Sequence, residues 1–215
     1  MLENYYMIIN LPSPHKRITY LKALPDELFN ELRDIYYRCS TYVVKFNVPN
    51  EFVCDMMWPE TQEEFNWIKR EILGYYNLSE DEIQNLKYKE EDQGKDREDA
   101  KKATWFTGNV PDYLPNSLNF TRSNPESITE KHHGIVECKI NIPIVNMGQA
   151  CIRFLDTDER CWYPSPALLN IGYDHEVRGL ERLQEFNVNE RVFFQIVLNK
   201  PYQHYSDTLI RPNGW

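Results

Sequence analysis

Glycine is scarce in this chain, with 8 in 215 residues, and none of them cluster. No Gly-rich loop that would cradle a phosphate is present, nor a Gly-x-Ser-x-Gly nucleophile elbow. The five cysteines, Cys39, Cys54, Cys138, Cys151 and Cys161, make no C-x-x-C pair. Odd in number and widely spaced, they are expected to be free thiols of a cytoplasmic protein, not a disulfide framework. No apolar run approaches the ~20 residues of a membrane-spanning helix. The opening MLENYYMIIN carries an acidic residue early and no basic stretch, so no secretory leader is expected. Positive charge is also short: 24 Lys and Arg against 33 Asp and Glu leave a net charge of −9. Without a basic stripe, nucleic-acid backbones are not expected partners. There is no internal repeat. The one biased tract, KEEDQGKDREDAKK at Lys89–Lys102, reads as a solvated loop or exposed helix.

What the chain does have is tyrosine (14) and proline (13), which suits an irregular, loop-rich fold with aromatic packing. Its length is enough for one substantial core, and residues 1–215 are expected to form a single domain. The expected layout is a helical and mixed half over about 1–102, a β-barrel core over about 103–200, and a tail at 201–215 packed over the barrel or the helices.

In chain order, Tyr5–Ile9 is a short apolar run suited to an edge strand, stopped by Pro12 and Pro14. Pro25–Cys39 is predicted to be helical. Proline fits the first helical position, Asp26 and Glu27 suit the positive end of the dipole, and Leu28, Leu32, Ile35 and Tyr36 share a face. Thr41–Val48 is rich in β-branched residues and reads as a strand. Thr61 and Glu64 form a T-x-x-E capping-box pattern ahead of Phe65, Ile68, Ile72 and Tyr76; Ser79 and Glu82 repeat it for a third helix running to about Tyr88. From Trp105 onward, short apolar runs recur roughly every 8–12 residues. They are punctuated by Asn146-Met147-Gly148, Asp156-Thr157-Asp158, Pro164-Ser165-Pro166 and Gly179, which predicts an antiparallel sandwich or barrel.

The candidate chemistry lies between His132 and Leu198. Val136, Cys138, Ile140, Ile142 and Ile144 alternate with His133, Glu137, Lys139 and Asn141, so one strand face is apolar and the other polar. The polar face either meets solvent or lines a pocket. In a pocket, His133 and Glu137 suit a shared metal. His175 follows the turn-like Asn170-Ile171-Gly172-Tyr173-Asp174, a place for a ligand at a barrel mouth or for a histidine bonded to nearby backbone. Arg191 opens the strand Arg191–Leu198 and either pairs with a surface acid or holds a carboxylate through two parallel bonds.

The order Asn141-Ile142-Pro143-Ile144, then His175-Glu176-Val177, then Arg191 heading an apolar strand resembles the iron- and 2-oxoglutarate-dependent oxygenases, in particular the aspartyl/asparaginyl β-hydroxylase-like and small phage-type members. The resemblance covers about 80 residues of the 215. It implies an α+β protein built on a double-stranded β-helix, a jelly-roll or cupin-like barrel, with the N-terminal helices packed outside. It also implies Fe(II) on two histidines and a carboxylate, and an arginine that binds the 2-oxoglutarate carboxylate. The family's H-x-D is not present. By spacing, Lys131 or His132 falls at the first histidine and His133 or Gly134 at the aspartate. The set that then offers itself is His133, Glu137 and His175 for the metal, with Arg191 for the co-substrate. That set is nearer to cupins, whose G-x-x-H matches Gly172 to His175. Hydroxylation of an undefined small-molecule or protein substrate is the function this implies. The alternative is a non-enzymatic jelly-roll protein, a virion or assembly component or a regulator of a partner.

Overall fold

The helix predicted from Pro25 is present. In α1 (Asp26–Cys39), the Pro25 carbonyl accepts the Phe29 N–H at 2.9 Å, and Leu32, Ile35 and Tyr36 are buried along one face with Leu28 packed beside them. The structure, a computed structural model, describes residues 16–39, 44–45, 51–55, 61–83, 118–123, 129–132, 138–145, 150–179 and 191–209. The segments Tyr5–Ile9, Lys89–Lys102 and Asn146–Gly148 lie outside them. So does most of Thr41–Val48, of which Val44–Lys45 is a strand.

A second helix, α2 (Gln62–Ile68), runs into a π turn at Lys69–Leu73 and buries Ile68, Ile72 and Tyr76. The T-x-x-E box expected at its start is not made. Thr61 has φ −110° and ψ 15° and no side-chain cap bond, while Glu64 is drawn to Arg38 on α1, 3.5 Å away. The Ser79–Glu82 box does form: Glu82 Oε2 accepts the Ser79 backbone N–H at 2.9 Å. It caps only a 3-10 turn, Glu80–Glu82, because Ile83 already leaves in extended conformation to bridge Leu198. Burial alone would raise the Glu82 carboxyl. The Ser79 N–H and the Lys200 ammonium outweigh it and hold the group below the usual carboxylate range.

Eleven strands are described: β1 (Ile18–Tyr20), β2 (Val44–Lys45), β3 (Glu51–Asp55), β4 (Leu118–Ser123), β5 (Thr129–His132), β6 (Cys138–Val145), β7 (Ala150–Phe154), β8 (Arg160–Cys161), β9 (Ala167–Asn170), β10 (His175–Gly179) and β11 (Arg191–Leu198). They form two antiparallel sheets. The larger has the order β1-β9-β6-β11-β4-β3-β2 and the smaller β5-β10-β7-β8. From β4 onward the chain crosses between the sheets at almost every step: β4, β6, β9 and β11 lie in the larger, and β5, β7, β8 and β10 in the smaller. The protein is thus α+β with mostly antiparallel sheets, as expected. Ahead of Trp105 the strand read at Thr41–Val48 is present as β2, but β1 and β3 were not expected, and the three together extend both edges of the larger sheet. β1 and β3, of three and five residues, carry too little alternation to be read from sequence. Gly179, expected at a turn, instead ends β10 opposite Ala150.

Period two along the central strands builds two cores. Cys138, Ile140, Ile142 and Ile144 of β6, with Val192, Phe194, Ile196 and Leu198 of β11, face the helices. Phe193 and Val197 face the smaller sheet and meet Ile152, Phe154 and Cys161. The C-terminal segment packs on the helix side as expected. In α3 (Tyr202–Thr208), Tyr205 is fully buried and the Tyr202 hydroxyl lies 2.7 Å from Thr19 Oγ1 on β1. Replacing Tyr202 by Phe keeps the ring and removes one buried hydrogen bond, so a loss of about 1–2 kcal/mol in urea unfolding is expected; an unchanged midpoint would mean that the two hydroxyls are not paired in solution. No described helix is long and apolar enough to cross a membrane.

Candidate functional site

The polar face of β6 is the one turned toward the smaller sheet. Lys139 pairs with Val197 and Leu169, both members of the inter-sheet core, so Lys139, Asn141 and Pro143 share that side. Of the two possibilities left open by the sequence, the interior one holds for Asn141, which is 1% exposed. Lys139 and Pro143 are half-buried, so solvent reaches this face on both sides of Asn141.

The register places a row of carboxamides here. Gln195 of β11 lies opposite Asn119 on β4 and opposite Asn141 on β6. Asn119 is buried and accepts a bond from Thr121 Oγ1 at 3.1 Å, while Gln195 is half-buried. Asn141 is held from the other sheet: its Nδ2 donates to the Tyr163 hydroxyl at 2.9 Å. Tyr163 follows β8 with φ 56°, a left-handed conformation costly for a bulky residue. That turn lays its ring on Phe193, 5.0 Å between centroids. Burial pushes the Tyr163 phenol well above its usual value. It is therefore a neutral group at physiological pH. The Asn141 Oδ1 is buried and accepts no hydrogen bond among the described residues.

His175 opens β10, directly after the turn at Ile171–Gly172, as its flanking sequence predicted. It is 2% exposed and stands opposite Phe154, whose ring centroid is 5.6 Å away. Phe154 belongs to the inter-sheet core, so His175 faces the interior too. Its Nδ1 lies 2.7 Å from the Tyr173 carbonyl oxygen. A carbonyl only accepts, so Nδ1 carries the proton and the neutral ring has its lone pair on Nε2. Of the two local readings of this histidine, the one bonded to nearby backbone is met. On its other side β10 pairs with β5, which places His132 opposite His175.

Arg191 opens β11 and is 4% exposed, which rules out a solvent-exposed surface ion pair. Its guanidinium carbon is 5.6 Å from the centroid of the Phe193 ring, so it too belongs to the inter-sheet side. Glu176, next to His175, points to the other face and is buried 3.4 Å from Arg153 Nη1. His133 and Glu137 lie outside the described residues. Among the described residues no three His, Cys, Asp or Glu side chains come together as a metal site. Cys39, Cys138, Cys151 and Cys161 are buried thiols outside any disulfide; burial pushes the Cys39 thiol up to about 11 and the Cys161 thiol up to about 12, so neither is a nucleophile near neutral pH.

The sequence pointed to His175 and Arg191, and each lies on the inter-sheet side of its own strand. It missed Tyr163. Nothing in CWYPSP marks a phenol that crosses between sheets, because the contact depends on one left-handed backbone position. Asn141 had a signal, its place in the polar half of an alternating strand.

No protein-family model matches the chain, and no curated protein matches it. Among solved structures, the crystal structure of a cupin-2 domain containing protein from Shewanella frigidimarina is similar at 14% identity and a TM-score of 0.28, covering 48% of this chain and 91% of that one. A likeness of that degree decides nothing about this chain; its strand order, register and buried polar groups do.

Proposed function

We infer that the two sheets close into a double-stranded β-helix within a single domain, and that the protein is an iron- and 2-oxoglutarate-dependent oxygenase acting by hydroxylation in the cytoplasm. The observation that carries this reading is the placement of two buried side chains at corresponding positions: His175 heads β10 and Arg191 heads β11, both on the inter-sheet face. The alternation of β4–β11 between the sheets supports the fold half of it.

The described residues fit the implied groups. A metal-binding histidine characteristically donates its second ring N–H to a carbonyl, as His175 does to Tyr173. His133 and Glu137 would complete the ligand set, two histidines and a carboxylate, which suits Fe(II). Arg191 would hold the far carboxylate of 2-oxoglutarate through its planar fork, shielded from water by Phe193. Iron held there would supply the place where molecular oxygen, the oxidant, reacts, one oxygen atom going to 2-oxoglutarate, which would leave as succinate and CO2, and the other into a substrate C–H bond. The chain's own residues orient the histidine ring, neutralise the co-substrate's charge and keep bulk water away.

Calorimetric titration tests the reading. Wild-type protein should bind one Mn(II) and then 2-oxoglutarate. His175→Ala should lose most of the metal affinity while keeping its circular dichroism spectrum. Arg191→Lys keeps the charge and loses the fork, so it should weaken 2-oxoglutarate by roughly one to two decades, at ~1.4 kcal/mol per decade, with little change in metal affinity. A wild type that takes up no metal would sink the enzyme reading and leave a jelly-roll protein that works by binding a partner.

A further inference from the structure

The carboxamide row has no task in that chemistry. Asn141 is enclosed, fixed by Tyr163 from the opposite sheet, and left with an acceptor oxygen that receives nothing from the described residues. A buried acceptor without a donor is a standing cost, which mutational experience sets well above the gain from an average hydrogen bond. Removing it would take only an apolar residue at position 141, the side-chain type that Ala167 presents beside it on β9. The cost falls where the face is reachable, since Lys139 and Pro143 along β6 and Gln195 across on β11 are only half-buried. The oxygen also asks for one kind of partner. 2-Oxoglutarate at neutral pH offers carboxylates and a ketone, all acceptors, and cannot supply the missing proton.

We propose that Asn141 reads the substrate: its side-chain oxygen accepts an N–H or O–H from a small molecule lodged between the sheets, with Gln195 flanking the same group. This rests on the inter-sheet space being the ligand site of the oxygenase reading. It narrows the substrate class to molecules that carry a neutral hydrogen-bond donor, a primary amide, amine or hydroxyl. Purely carboxylate or ketone-bearing molecules are excluded from that position. Tyr163 is a positioning residue, since its bond to Nδ2 is what turns the oxygen toward the incoming donor.

The test uses two probes of the same length and shape, glutaramate and glutarate, which differ in a terminal carboxamide against a carboxylate. Their dissociation constants are measured by ligand-observed NMR on Mn(II)-loaded full-length protein, for wild type, Asn141→Leu and Asn141→Asp. The readout is the ratio of the glutarate to the glutaramate constant, which cancels general effects on the site. Asn141→Leu should lower that ratio about tenfold, the size of one hydrogen bond in a dry site. Asn141→Asp keeps an acceptor at that place and should hold the ratio or raise it, which also guards against a leucine variant that folds poorly. A ratio unchanged in Asn141→Leu, or one that falls equally in both variants, overturns the proposal, as does a wild type that binds neither probe. Failure of the oxygenase reading shows separately, as absent Mn(II) binding.

Discussion

Phe120→Ala should cost about 3–5 kcal/mol, a large share of the 5–15 kcal/mol that holds a domain of this kind together. Phe120 is fully buried at the centre of the larger sheet, its ring 4.8 Å from Phe194 on β11 and 5.6 Å from Tyr36 on α1. It is a ring on which Tyr36 of α1 rests. Its loss would open a cavity walled by two aromatic rings held on different elements, which cannot collapse together without moving the helix. Phe120→Leu, which preserves most of the volume, should cost much less, about 1–1.5 kcal/mol. Urea unfolding followed by tyrosine fluorescence separates the two. An alanine variant within about 1 kcal/mol of wild type would mean that the helix layer is not seated on Phe120.

The second large effect is alkaline. Burial raises Cys161 from 9.0 to about 12, raises Cys39 to about 11, and lifts Tyr20, Tyr76 and Tyr163 as well. Each is an acid kept neutral by the fold. Above its ordinary value the unfolded chain gives up the proton while the folded chain still holds it. Unfolding is then favoured as pH rises. For Cys161 the contribution is complete below pH 9 and disappears between 9 and about 12. The buried tyrosines join from pH 10. Each such group removes ~1.4 kcal/mol of stability per pH unit. Two or three acting together would exhaust a typical domain's stability within a few units. Urea midpoints measured from pH 8 to 11 should therefore fall steeply above pH 9–10. Cys161→Ala, although less stable at neutral pH, should lose the earliest part of that slope. A flat profile to pH 11 would mean that these groups reach solvent in the folded protein.

How much of this was legible follows from which residues speak for themselves. α1 was readable because four apolar positions repeat at helical spacing over fourteen residues and proline precedes them. β6 was readable because apolar and polar residues alternate along it, and β11 because it is a near-continuous run of β-branched and aromatic residues. β1 was not, since three residues define no period, whereas β2 lies inside the β-branched stretch Thr41–Val48 that reads as a strand. The Thr61–Glu64 box failed for a different reason. A capping glutamate is local information, and Arg38 on a neighbouring helix competed for it through tertiary contact. At the site, His175 announced itself by following a turn-like stretch just past an apolar strand, and Arg191 by standing at the head of one. The Asn141–Tyr163 bond joins a residue of the polar strand face to one that no sequence pattern marks, and only the folded backbone brings them within 2.9 Å.

The pairing of β1 with β9 has a consequence for synthesis. Ile18 meets Leu169, and Thr19 meets Leu168 before its hydroxyl is met in turn by Tyr202. On a ribosome adding ~5–20 residues per second, β1 waits on the order of ten seconds for its partner strand and longer for the tyrosine that seals it. Over that interval Ile18 and Leu21, both buried in the finished protein, stay in reach of other chains. The nascent protein is therefore most vulnerable to aggregation before β9 emerges, and a holdase that recognises extended apolar segments would find its target at the β1 region.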